Sequence, residues 1–384
     1  MIAVNSINLW SYLHCRHESK VIEEMVGKIL GNLTSTYSIF HKDLVGINSR
    51  MEELVDLLGM GLNDVRFIGI WGMGGMGKTT LAKVVYDRFH DHFEGSSFLA
   101  NVREESGKHG LVSLQKQLLS NFLIEMSIDF SDVQRGINVI LKRLCHKKVL
   151  IILDDVDQPD QLEALVGEQS WFGQGSRIII TTRDQHLLIR HKVAKAQIYK
   201  VKELNDDESL KLFSQKAFKK DHPLVGYEEL SQKFIYYAKG LPLALEVLGS
   251  FLRHRDLYLW ESTLARYKEN PPKDILDVLE ISFDSLEERE KSIYLDIACF
   301  FNGKDRCYVT KLLQILYDKP DIDIDVLLKK SLITISCGHF MMHDLLQELG
   351  REIVRRESPQ DAGERSRLWH SEDVLRVLKE NSVS

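Results

Sequence analysis

GMGGMGKT, residues 72–79, constrains this chain more than any other stretch in it. It matches GxxxxGK[ST] in full. It directly follows the apolar run VRFIGIW (65–71), and after it Leu81, Val84, Val85 and Phe89 recur at helical spacing. Strand, glycine-rich turn and helix in that order define a P-loop. The chemistry explains the residue types. Gly72, Gly74, Gly75 and Gly77 let the backbone approach an anion with no Cβ in the way. Loop amides and the helix N-terminus then face the phosphates, with Met76 and Thr80 completing the set. Lys78 reaches the β- and γ-phosphates, and the Thr79 hydroxyl ligates Mg²⁺.

A P-loop enzyme also needs a carboxylate at a strand end. KVLIILDDVD (148–157) supplies two. Asp154 is the candidate to hold Mg²⁺ with Thr79, and Asp155 the candidate to position or activate a water, which makes this acid pair the catalytic candidates. RIIITTRD (177–184) is another apolar strand, ending at Arg183. Arg183 either reaches a γ-phosphate from that strand or is a surface residue opening the next helix.

Strand and helix patterns alternate from 65 to about 204. VRFIGIW (65–71), SSFLANV (96–102), KVLIIL (148–153), RIIITT (177–182) and IYKV (198–201) read as five strands. That alternation predicts an α/β P-loop domain with a parallel sheet covered on both faces. After 204 the strands nearly vanish. Asn205 and Glu208 have capping-box spacing, and Leu210, Phe213, Ala217 and Phe218 form the apolar face that follows. LITIS (332–336), a Cys337-Gly338 turn and HFMM (339–342) predict a hairpin, with a helix from Asp344. Helices followed by a hairpin predict a winged helix. The expected organisation is an N-terminal linker helix in 1–40, amphipathic over 19–33. A nucleotide-binding domain (41–204), a helical subdomain (205–272) and a winged-helix subdomain (273–384) follow.

The 384 residues carry a formal net charge of -6, which offers no general attraction to nucleic acid. Five cysteines, with no CxxC pair, fit reduced thiols. The N-terminus makes a poor signal peptide, and no run approaches the ~20 apolar residues of a membrane span. A cytoplasmic or nuclear protein is expected.

GMGGMGKTT, LDDVD, GSRIIITTRD, GLPLAL (240–245), YLDIACFF (294–301) and MHD (342–344) occur in order. Together they resemble the NB-ARC domain of plant nucleotide-binding leucine-rich-repeat immune receptors. LDDVD, FLANVREES (98–106) and YLDIACFF resemble the subgroup that carries a TIR domain. The likeness runs from about residue 19 onward and covers the central switch alone. It implies an ADP/ATP switch, closed with ADP and open with ATP, with at most slow hydrolysis. It also implies TIR and LRR partners in cis or trans, and homo-oligomers when ATP is bound. No residues are present to carry TIR-type NAD cleavage. In the family, Val45, Gly46 and Arg50 would lie near adenine and ribose. Pro242 would pack on the base, although it also suits the first turn of a helix. His343 would reach the β-phosphate of ADP. Asp344 stands where a helix N-cap belongs, which leaves a cap and a signalling role both open.

Three other readings compete. A DNA-binding P-loop ATPase with a winged helix needs a basic recognition helix, but 305–320 mixes acids with its bases and the turn SCGHF has no Lys or Arg. A nucleotide-independent adaptor or decoy conflicts with the complete phosphate motif. A metal site at His339 and His343 lacks the Cys or His ligands to complete it.

Overall fold

The computed structural model describes residues 44–122, 130–269 and 272–380; the expected helix at 19–33 lies outside them. Five strands are present: β1 (Arg66–Trp71), β2 (Gly95–Leu99), β3 (Val149–Val156), β4 (Arg177–Thr182) and β5 (Ile198–Lys200). They pair in parallel in the order β2-β3-β4-β1-β5, so the expected parallel sheet is present. Ile68, Ile70, Ile151, Ile152, Ile178 and Ile180 are wholly buried. Continuous apolar runs suit strands covered on both faces. Helices α1 (Ile47–Leu58), α2 (Lys78–Phe89), α3 (Val102–Ser120), α4 (Val133–Leu144), α5 (Pro159–Val166) and α6 (Gln185–Arg190) accompany the sheet.

Strand order places the chemistry. β4 lies between β1, which feeds the P-loop, and β3, which carries the acids. Residues at the C-terminal end of β4 therefore fall between loop and acids, in the crevice where open α/β sheets bind ligands. Two strand ends differ from the sequence reading. β2 stops at Leu99, because Asn101 takes a left-handed turn (φ 50°) and Val102 opens α3. Asn is one of the few residues that tolerate that turn. β3 runs beyond Leu153 through Asp154 and Asp155 to Val156, with a break in its register against β4.

Past residue 204 come α7 (Asp206–Phe218), α8 (Glu228–Ala238), α9 (Pro242–Leu252) and α10 (Leu257–Glu269). The Asn205–Glu208 capping box forms as expected. α7 buries Leu212 with Phe213 and Ala217, while Leu210 is only half-buried; α8 and α9 both pack against this helix. Trp260 gathers Phe213, Phe218, Tyr227 and Phe234 around its ring.

α11 (Lys273–Asp284), α12 (Glu288–Asp296), a π-helical turn (Ile297–Phe301), α13 (Arg306–Leu316) and α14 (Asp321–Lys329) follow. β6 (Thr334–Ser336) and β7 (His339–Met341) make the antiparallel hairpin, and α15 (Asp344–Glu357) and α16 (Ser371–Glu380) complete the described chain. Cys337 and Gly338 both have positive φ, as a two-residue hairpin turn requires. α15 buries Leu345, Leu346, Leu349 and Val354. Gly350 lets α15 close on the π-helical turn: a Cβ there would stand 2.6 Å from Ala298 Cβ.

Candidate functional site

Within the P-loop, Gly75 and Gly77 take left-handed conformations (φ 79° and 85°), which few other residues adopt. Gly74 is needed for space, since a Cβ there would lie 3.0 Å from Arg183 Nη1 and 3.2 Å from Val278 O. A Cβ at Gly75 would strike Leu243 at 2.8 Å, and the Leu243 amide donates to Gly75 O (3.2 Å). Gly77 caps α2, and a Cβ there would meet nothing within 4 Å, so the helix N-terminus opens onto free space. Lys78 is buried, and its Nζ donates to Gly72 O (2.8 Å) and Met73 O (2.9 Å). Burial and then Arg183 push its pKa down to about 7, against the pull of Asp155 and Asp154. Met76 is buried beside the loop, and Thr80 is exposed.

Thr79 Oγ1 donates to Asp154 (2.9 Å to Oδ1). Thr181 Oγ1 also donates to Asp154 (2.6 Å) and accepts the Asp155 amide (2.9 Å). One β4 hydroxyl thus pins both acids across the register break. Asp155 has φ 57°, and each of its oxygens faces a guanidinium: Arg103 Nε at 2.9 Å and Arg183 Nε at 3.4 Å. Burial pushes the Asp155 carboxyl up, but Arg183 and Arg103 outweigh it and hold it below the ordinary carboxylate range. Arg183 is largely buried above Gly74, and its Nη1 donates to Val278 O on α11 (2.7 Å).

The other candidates fall elsewhere. Val45 and Gly46 lead into α1, and Gly46 (φ 69°) caps it. Arg50 folds back to Gly46 O (2.6 Å), donates to Glu203 O (2.9 Å) and pairs with Glu208 (3.1 Å). Pro242 is the first residue of α9, next to Leu243, which covers Gly75.

A cavity of about 200 Å³ joins the P-loop to the winged helix, with Gly72, Met73 and Met76 on one side and Met342, His343 and Leu346 on the other. Of the sequence candidates only Gly72, Met76 and His343 line it; Lys78, Thr79, Asp154, Asp155, Arg183 and the remaining loop glycines do not, and neither do Val45, Gly46, Arg50 and Pro242. Here the sequence reading of Asp344 is corrected. The N-cap of α15 is His343, whose Nδ1 accepts the Leu345 amide (3.2 Å). Asp344 is already helical, and its carboxylate instead pairs with Lys239 Nζ (2.8 Å). With Nδ1 accepting, the imidazole proton sits on Nε2, and that nitrogen is buried with no close hydrogen-bond partner, the Lys239 backbone being only a weak one. Burial lowers the His343 pKa and the Lys239 ammonium adds to that, while Asp344, Glu203 and the Lys239 backbone oppose it. Among the described residues no cluster of three His, Cys, Asp or Glu side chains is set to hold a metal ion, and His339 Nδ1 bonds to Cys337 O. Also among the described residues, no helix is long and apolar enough to cross a membrane.

The sequence reading missed Arg103, Thr181, Lys239 and Val278. Arg103 and Thr181 lie inside FLANVREES and RIIITTRD, so the signal was present, but it carried no partner. Lys239 stands one residue before GLPLAL.

Sheet order, P-loop and acid strand define the chain as a P-loop NTPase fold with an appended winged helix. A Walker-type ATPase of Pyrococcus abyssi shares this fold at 16% identity and a TM-score of 0.54, covering 81% of this chain and 97% of that one. The NB-ARC domain family matches residues 47–223, and the winged-helix domain of Roq1-like disease resistance proteins matches 287–358. The chain therefore carries an NB-ARC domain followed by a winged-helix domain of the disease-resistance type, and its sheet domain is of the nucleotide-binding class. TMV resistance protein N of Nicotiana glutinosa is 40% identical over 95% of this chain. Disease resistance protein RUN1 of Vitis rotundifolia is 43% identical over 94%. The chain spans only 32% and 27% of those two relatives.

Proposed function

We propose that the chain is an ADP/ATP switch in plant defence signalling, closed with ADP and open with ATP. The observation that carries this reading is the cavity shared by P-loop and winged helix, lined by His343, with its Nε2–H buried and without a close partner. A buried donor without an acceptor costs ~1–3 kcal/mol. A β-phosphate oxygen of ADP, held by the P-loop, is an acceptor of the right kind. Binding ADP would then fasten the winged helix down.

The residues present fit such a ligand. The left-handed glycines and the open N-terminus of α2 suit a phosphate chain. Lys78, Met76 and Thr80 belong to the same cradle. Thr79 and Asp154 would hold Mg²⁺, which neutralises phosphate charge. Val45, Gly46, Arg50 and Pro242 would flank adenine and ribose. Arg183 would read the γ-phosphate by leaving Val278 O. Asp155 would orient water for slow hydrolysis at most. TIR and LRR domains, in cis or trans, ATP-dependent homo-oligomers and a cytoplasmic setting complete the reading.

Mass spectrometry of nucleotide released from the purified protein tests it. ADP near one per chain is expected, and an empty site would overturn it. His343→Ala should speed ADP release, and an unchanged off-rate would remove the histidine from the reading.

A further inference from the structure

Asp155 is restrained through both its backbone and its side chain. Its backbone is left-handed, and its amide is held by Thr181 Oγ1. Its two oxygens face two arginines, but unequally. Arg103 stands at 2.9 Å and Arg183 at 3.4 Å. Charge-assisted N–H···O bonds run ~2.7–2.9 Å, so Arg103 makes the bond and Arg183 is a loose neighbour. The firm bond of Arg183 goes to Val278 O at 2.7 Å. Arg103 is also in an unusual place. It is the second residue of α3, where the helix dipole disfavours a cation and favours acids such as the adjacent Glu104 and Glu105. A basic residue there gains nothing from the helix, and its nearest use is Asp155.

We infer that Arg103 is a positioning residue: it occupies Asp155 so that Arg183 stays free to exchange its protein partners for the γ-phosphate of ATP. This rests on the proposed reading of Arg183. Without Arg103, the only guanidinium left beside the Asp155 carboxylate is Arg183. Arg183 would then close on the acid and be withheld from ATP, whereas ADP has no γ-phosphate to lose.

The test uses the full chain and titrates Mg²⁺ with ADP or with a non-hydrolysable ATP analogue. Arg103→Ala should lower the ratio of analogue to ADP affinity about tenfold, the scale of one charge-assisted hydrogen bond. Arg103→Lys should retain most of the ratio. Adding Asp155→Asn to Arg103→Ala should restore it, because the competing charge is gone. A merely structural role for Arg103 predicts no such rescue. If Arg183→Ala lowers the ratio but Arg103→Ala does not, this inference falls and the switch reading stands. If Arg183→Ala leaves the ratio unchanged, the reading of Arg183 beneath it falls. Should Arg103→Ala fail to melt cooperatively, Arg103→Gln carries the same comparison.

Discussion

Two nitrogens of one ring carry separate loads in His343. Nδ1 caps α15 through the Leu345 amide, and Nε2 holds the proton with no close protein partner. An imidazolium would carry protons on both nitrogens, so charging the ring breaks the cap. The charged groups facing it are Asp344, Lys239 and Glu203, and burial dominates them, leaving the folded-state pKa below the ordinary value. The unfolded chain titrates near ~6.5 and so binds more protons between the two values. The stability contributed is full above ~6.5 and is lost as pH falls toward the lower folded value. His343→Asn keeps a capping oxygen and does not titrate. Between about pH 7.5 and about pH 5.5 the wild-type melting temperature should therefore drop further than that of His343→Asn. Equal drops in the two proteins would refute the coupling of cap to charge.

At the scale of elements, Gly350 shows packing overriding propensity. A mid-helix Gly costs ~1 kcal/mol relative to Ala, yet a Cβ there would lie 2.6 Å from Ala298 Cβ and 3.3 Å from Tyr294 Cε1. Neither neighbour is the free end of a flexible chain, and the Tyr294 hydroxyl donates to Leu346 O (2.6 Å), holding α15 at that separation. Overpacking costs ~1–3 kcal/mol, and a β-branched residue recovers little propensity in a helix. Gly350→Val should thus lose about 2–3 kcal/mol in urea unfolding, partly relieved by Ala298→Gly. Wild-type stability in Gly350→Val would show that α15 has room to move.

The elements most legible in the sequence were those whose signal is local. β1 and β4 are apolar runs, α2 follows its glycine loop, and the hairpin turn is marked by Cys337-Gly338. The features it did not disclose depend on distant partners. β3 runs through its acids because Thr181 on β4 pins both. The cap is His343, through the Leu345 amide, while the Asp344 carboxylate pairs with Lys239 from a distant segment. Arg103 and Asp155 stand 52 residues apart, and Arg183 and Val278 95 apart. Residue spacing holds no record of such pairs. The phosphate cradle was legible because its chemistry is contiguous, while the groups that tie it to the winged helix are not.

At the scale of the molecule, several ties join the sheet domain, the helical segment and the winged helix. Leu243 N reaches Gly75 O, Arg183 reaches Val278 O, Lys239 pairs with Asp344, and His343 lines the cavity beside the P-loop. Moving a two-state population from 1:99 to 99:1 takes about 5.5 kcal/mol, while one charge-assisted hydrogen bond supplies ~1.5–3 kcal/mol. The Lys239–Asp344 side chains are 40% and 45% exposed, so solvent screening leaves that pair ~0–1 kcal/mol. No single tie can hold the proposed closed state. Lys239→Ala alone should speed ADP release by less than about tenfold. Lys239→Ala with His343→Ala should speed it by about tenfold or more. Hydrogen exchange should follow the same division: replacing ADP with an ATP analogue should expose amides of α11 and the first turn of α15, while β1, β3 and β4 stay protected. A hundredfold effect from Lys239→Ala alone, or loosening that begins in the sheet, would replace shared holding with a single latch.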